Sequence, residues 1–242
     1  MAGHNKWSQI KHKKAKTDAQ KGKVFSKIAR EIMVAAKMGG EDVSMNPRLR
    51  LALQKAKEAN MPNDNVKRAI QKGVGSDDDN QLEELQFEAY GPHGIAILID
   101  TLTDNRNRTI TNLKVVLNKG GGNLADKGAV SYLFETKGLI YFEKTDQQDK
   151  IIDLAIEEGA DDIDAKPAGE IEIITPIDQL ESLKTCYDKQ GFEYETATLT
   201  KIPATFVTIT AEQFENVAAL LEKIEDDDDV QDVYSNLELS ES

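Results

Sequence analysis

Apolar residues recur at three- and four-residue steps through Val24, Phe25, Ile28, Ala29, Ile32, Ala35 and Ala36, which predicts an amphipathic helix opening near Asp18. Gly39-Gly40 ends it, as glycine does past a helix C-terminus. Asn46-Pro47 predicts the next start, an N-cap side chain followed by proline at the first helical position. Leu49, Leu53, Ala56 and Ala59 supply its apolar stripe, and a shorter helix follows from about Asn63 to Gly73 on Val66, Ala69 and Ile70. Three short helices with narrow stripes suit a small bundle. The polar stretch Gly75–Asn80 then reads as a linker, and after it the period drops to two. Leu85 to Tyr90 alternates, Gly91-Pro92-His93-Gly94 turns, and Gly94 to Ile99 is a near-continuous apolar strand. Asp104 to Asn118 returns to helical spacing through Ile110, Leu113, Val116 and Leu117, and stops at Gly120-Gly121-Gly122. Short apolar runs follow at Val130–Phe134 and Leu139–Phe142.

From Gly138 to Pro203 the pattern reads strand, helix, strand, strand, helix, strand: 139–143, 148–158, 161–165, 170–175, 178–189 and 193–201. That order is the split βαβ, ferredoxin-like arrangement, complete in itself. The tail adds a strand at 205–210, a helix at 211–224 and a strand at 230–234, expected to return to residues 82–130. The expected class is therefore α+β, with a basic arm over 1–16 and a helical domain over 17–76. A discontinuous α/β domain of 80–135 plus 204–239 follows, and a ferredoxin-like domain over 136–203 is inserted into it.

Charge changes this picture more than composition does. The 242 residues carry a formal charge of -13. Residues 1–75, however, hold 17 Lys+Arg against 6 Asp+Glu, a net of +11, while residues 76–242 hold 13 against 37, a net of -24. The first 30 residues set nine cations against Asp18 alone. Such segregation suits a basic arm that meets a polyanion, carried on an acidic body that the polyanion repels. A merely solubilising tail does not require nine cations so nearly unbroken by acids, nor an embedded Trp7. No stretch is apolar enough to span a bilayer, no secretory signal is visible, and the lone Cys186 forms neither an internal disulfide nor a cysteine metal cage. A cytoplasmic protein without membrane attachment is expected.

Catalytic chemistry is not signalled. The sequence lacks a phosphate-binding G-x-x-x-x-G-K-[ST] loop, and Gly120-Gly121-Gly122 follows a helix instead of preceding one, so it reads as a cap and tight turn. His4 and His12 sit among lysines and His93 in a turn, with no evident carboxylate or cysteine partner. Cys186 shares helical spacing with Leu180 and Leu183 and is expected to be buried. No enzyme, no cofactor, no metal and no small-molecule substrate are expected. Asp226–Asp229 follows a helix, where negative charge opposes the helix dipole, and has no evident stabilising role; electrostatic exclusion of nucleic acid is the expectation.

Candidate binding residues follow from phosphate chemistry. Lys6, Lys11, Lys13, Lys14, Lys16, Lys21 and Lys23 meet phosphate as point charges without reading bases. His4, Asn5, Trp7 and His12 could stack on or hydrogen-bond exposed bases, which unpaired RNA presents more readily than a duplex. Arg106 and Arg108 open a helix whose free N–H groups would favour an anion, a second candidate contact.

Several stretches carry a resemblance: Ala2-Gly-His-Asn-Lys-Trp-Ser-Gln-Ile-Lys-His-Lys-Lys14, Asn46-Pro-Arg-Leu-Arg50, Tyr90-Gly-Pro-His-Gly94, Asp104-Asn-Arg-Asn-Arg-Thr109, Gly121-Gly-Asn-Leu124 and Asp228-Asp-Val-Gln-Asp-Val-Tyr-Ser-Asn236. In order and over essentially the whole chain, these resemble the YebC family. The resemblance implies a three-domain cytoplasmic protein with no catalytic residues. Its bacterial members usually carry the label of DNA-binding transcriptional regulator. Mitochondrial relatives resemble translational activators of cytochrome c oxidase, and the family is also linked to relief of ribosomes stalled on proline-rich sequences. The implied partner is nucleic acid, either DNA or ribosomal RNA on the ribosome, and the expected role is regulation of transcription or of translation.

Overall fold

A computed structural model describes residues 18–75 and 82–240. In chain order, helices α1 (Asp18–Gly39), α2 (Pro47–Glu58) and α3 (Asn63–Gly75) precede β1 (Glu83–Tyr90), β2 (Ala96–Thr103), α4 (Arg106–Lys119) and β3 (Asn123–Ala125). Next come β4 (Phe134–Phe142), α5 (Gln148–Glu157), β5 (Asp162–Ala165), β6 (Ile171–Thr175), α6 (Leu180–Gln190) and β7 (Thr196–Pro203). The chain closes with β8 (Val207–Ile209), α7 (Ala211–Glu225), β9 (Val230–Ser235) and β10 (Leu237–Leu239). The class is α+β. The chain divides into two compact units, one over Tyr132–Phe206 and the other formed by the segments before and after it.

In the larger unit, the three helices close on Ile32, Ala35, Leu49, Ala52, Ala56, Met61 and Ala69. Asn46 caps α2 as its sequence predicts: its side chain accepts from the Leu49 N–H and donates to the carbonyls of Ala35 and Gly40, tying α2 to the end of α1. Gly73 marks where α3 crosses α1, because a Cβ there would lie 2.4 Å from the Met33 carbonyl oxygen.

The same unit holds an antiparallel sheet ordered β3-β1-β2-β9. One face carries Ala89, Ile97, Ile99 and Val233, covered by Leu113 and Leu117 of α4 and by Val217, Leu220, Leu221 and Ile224 of α7. Residues C-terminal to the smaller unit thus complete a sheet begun at residue 83, since β9 pairs with β2. Strand β10, which periodicity did not predict, pairs in parallel with β8. Thr210 and Gln213 form a reciprocal capping box that starts α7.

In the smaller unit the sheet order is β5-β6-β4-β7 with every neighbouring pair antiparallel, the ferredoxin-like pattern. Strand β4 is longer than the apolar run suggests, continuing through Gly138, where a Cβ would lie 2.7 Å from the Thr175 methyl. Ile140, Phe142, Ile171 and Ile173 face Ile151, Leu183 and Tyr187 of the helices, and the Tyr187 hydroxyl donates to the Ile151 carbonyl at 2.9 Å. Cys186 departs from expectation: it is only partly buried on α6, with its thiol 3.8 Å from Glu158. It lies on the helix flank, whereas Leu180, Leu183 and Tyr187 take the core-facing stripe.

Candidate nucleic-acid interface

The motifs at 90–94, 104–109, 121–124 and 228–236 meet at the two ends of the sheet of the larger unit. At one end, Pro92-His93-Gly94 forms a 3₁₀ turn with His93 at φ 62°. Gly122 lies so close to the Tyr90 carbonyl that a Cβ would sit 2.5 Å from it, and Gly120 caps α4, bearing out the turn reading of this glycine run. Asn236 seals this end by accepting from the Ala96 N–H at 2.8 Å, and the His93 ring meets the Gln213 amide at 3.4 Å. Close by, the Glu88 carboxylate accepts from the N–H groups of Gly128, Val130 and Ser131 at 2.6, 2.6 and 2.8 Å. Burial alone would raise its pKa, but these three donors hold it below the ordinary glutamate value.

The opposite end is a charge cluster built around Asp229, which is 2% exposed. Its carboxylate accepts from Arg108 Nη2 at 2.8 Å on both oxygens, from Thr109 at 2.8 Å, from Thr103 at 3.1 Å and from Arg30 Nη1 at 3.0 Å. Burial pushes the Asp229 carboxyl up, and the Arg108, Thr109 and Thr103 hydrogen bonds outweigh it, leaving the pKa below the ordinary aspartate value. Arg108 also pairs with Asp104 at 2.7 Å. Asn105 caps α4 by accepting from the Arg108 N–H at 3.0 Å.

Helix α1 meets this cluster with a cationic stripe. Lys23, Lys27 and Arg30 fall at i, i+4 and i+7, on one helical face. Lys23 binds the Asp226 carboxylate at 2.8 Å, Lys27 donates to the Glu225 carbonyl at 2.6 Å, and Arg30 donates to the Asp228 and Leu102 carbonyls. On its other side Arg48 of α2 pairs with Glu31 and with Glu84 of β1. The acidic run therefore does stabilise, contrary to the sequence expectation: it sits where α7 ends, and cations from α1 and α4 gather on it and on the exposed helix carbonyls.

Among the candidate binding residues, His4, Asn5, Lys6, Trp7, Lys11, His12, Lys13, Lys14 and Lys16 lie outside the described residues, as does the Asp77–Asp79 run. Lys21 falls in the first turns of α1. Lys23 and Arg108 are engaged with the protein's own carboxylates, so the anion that Arg108 meets here is Asp229. Arg106 is exposed at the start of α4 with no ion-pair partner among the described residues. Lys27, Arg30 and Arg48 were missed by sequence reasoning. The signal that could have found the first two is the four- and three-residue spacing of cations continuing from Lys23 along one helical face. Among the described residues no group of three His, Cys, Asp or Glu side chains is placed to hold a metal ion, and no described helix is long and apolar enough to cross a membrane.

The fold and this cluster define a multidomain α+β protein whose basic N-terminal segment is carried on an acidic α/β body. Residues 5–76 match the family model described as the TACO1/YebC protein N-terminal domain, and residues 82–237 match the TACO1/YebC second and third domain. The chain belongs to the TACO1/YebC family. It is 47% identical to a probable transcriptional regulatory protein of Geobacter sp. (strain M21), covering 100% of this chain and 97% of that one. A probable transcriptional regulatory protein of Anoxybacillus flavithermus is 46% identical, covering 99% of both. The crystal structure of a conserved hypothetical protein from Aquifex aeolicus superposes with a TM-score of 0.87 at 44% identity, covering 98% of each chain.

Proposed function

We propose that this protein is a non-catalytic, nucleic-acid-binding regulator of gene expression. The carrying observation is the charge segregation, +11 over residues 1–75 against -24 over the remainder. Its phosphate contacts come from Lys6, Lys11, Lys13, Lys14 and Lys16 of the arm, continued by Lys21 and Lys23 at the start of α1, with Arg106 a separate exposed cation. The acidic body repels the same polyanion and so orients the contact toward the N-terminal segment. The relatives' names support transcriptional regulation.

A second reading, a translation factor seated on ribosomal RNA, is favoured by the arm itself. Lysine carries no base code, while Trp7, Asn5 and His4 suit unpaired bases. In both readings the protein acts in the cytoplasm and needs no cofactor.

Crosslinking in living cells, followed by sequencing of DNA and RNA in parallel, tests the proposal. Discrete promoter peaks support the transcriptional reading, and dominant ribosomal RNA lost on deleting residues 1–16 supports the translational one. Background signal in both pools refutes nucleic-acid binding altogether.

A further inference from the structure

We propose that the contact between α1 and the acidic turn joining α7 to β9 is a reversible clasp. Lys23, Lys27 and Arg30 form a phosphate-binding stripe that this turn occupies in the closed protein and that a nucleic-acid backbone takes over on binding. The inference rests on the nucleic-acid reading and adds to it a second binding surface and its regulation.

Four observations carry it. First, the groups on the stripe are oxygen anions and carbonyl oxygens: the Asp226 carboxylate at 2.8 Å from Lys23, the Glu225 carbonyl at 2.6 Å from Lys27, the Asp229 carboxylate at 3.0 Å from Arg30. Phosphate oxygens satisfy the same donors by the same charge-assisted geometry. Second, Arg30 can leave without orphaning Asp229, whose carboxylate keeps Arg108, Thr109 and Thr103, all supplied by β2 and α4. Third, the outer pair is open to solvent, with the Lys23 and Asp226 side chains 45% and 67% exposed, so it is weak, screened by salt and within reach of a competing polyanion. Fourth, the apolar cluster of α1–α3 and that of the sheet with α4 and α7 draw on separate elements, so opening the clasp leaves both cores closed.

The stripe continues the run of cations that begins in the arm, so a backbone already held by Lys11 to Lys16 has Lys21 and then Lys23 next in sequence. In the closed protein the acidic turn acts as an internal competitor, lowering affinity for weakly charged or short ligands.

The test uses the full chain in a Cys186→Ser background carrying Lys23→Cys and Asp226→Cys, joined or not by a short bismaleimide. Affinity is read by anisotropy with a fluorescein-labelled RNA strand and a DNA duplex. The linked protein is expected to bind roughly tenfold more weakly than its unlinked twin, from the loss of the Lys27 and Arg30 phosphate contacts. Equal affinity overturns the clasp while leaving nucleic-acid binding intact. Wild-type protein that binds neither probe overturns the nucleic-acid reading and the clasp with it. A second readout needs no variant: carbodiimide labelling of Asp226 in the wild-type chain should rise at saturating oligonucleotide, and unchanged labelling counts against displacement.

Discussion

Replacing Asp229 by Asn tests the charge cluster most directly. The substitution keeps the shape of the side chain but turns one acceptor oxygen into a donor among Arg108, Thr109, Thr103 and Arg30. Removing one partner of a buried ion pair costs about 3–5 kcal/mol, and hydrogen bonds to charged groups contribute about 1.5–3 kcal/mol each. The two arginines are 45% and 25% exposed and can rehydrate, which places the expected loss near the lower bound, about 3 kcal/mol. With a urea dependence of ~2 kcal/mol/M, the unfolding midpoint of the larger unit should fall by about 1–2 M. Because the chain has two compact units, the transition is best followed by hydrogen exchange on β2 and β9, where the Leu102 N–H donates to the Asp229 carbonyl. A loss below about 0.5 kcal/mol, the range of ordinary surface substitutions, would refute the view of Asp229 as a desolvated hub. The pH dependence has a definite sign. The folded pKa lies below the ordinary aspartate value, so the stabilisation is complete above the unfolded value and is lost as pH falls through the folded one. The Asp229→Asn protein should therefore lose less stability than wild type on acidification.

Glu88→Gln should cost about 2–3 kcal/mol, because an amide cannot accept equally from the three N–H groups it faces; thermal melts at neutral pH check this. As with Asp229, the depressed Glu88 pKa places its loss of stabilisation on the acid side, so the wild-type advantage over Gln should narrow as the carboxylate protonates. Gly73→Ala sets about 1 kcal/mol of gained helix propensity against a Cβ 2.4 Å from the Met33 carbonyl oxygen. Overpacking costs about 1–3 kcal/mol, so a net loss in chemical denaturation is expected, and a stabilised variant would show that the α1–α3 crossing yields freely. Changing Lys13 and Lys14 together to Gln should weaken RNA or DNA binding and reduce the slope of log affinity against log salt by about 1.4–1.8; an unchanged slope would remove them from the phosphate contacts.

Much of the fold was legible because local rules agreed with the tertiary outcome. Asn46-Pro47 starts a helix, Gly120 ends one, and period-two alternation marks β1, because capping and pleating depend on near neighbours. Strand β4 was read only from residue 139 because Glu135, Thr136 and Lys137 precede its apolar run, yet it pairs continuously with β7 from Phe134 to Tyr141. Strand β10 has only three residues, Leu237–Leu239, too few for a period to show. The candidate arm was legible through charge alone. Arg108 and the acidic run were each seen as anomalies, cations at a helix start and anions at a helix end, without being matched to each other.

The sequence alone determined the elements, the α+β class and the separation of a basic beginning from an acidic body, because propensity, capping and charge count are local or additive. Only the tertiary structure decided where that charge acts. It carries Asp229 across 121 positions to Arg108 and across 199 to Arg30, turning two unfavourable helix ends into one mutually neutralising cluster around a buried carboxylate. Desolvation and hydrogen-bond geometry fix that pairing, and neither exists until the chain is folded.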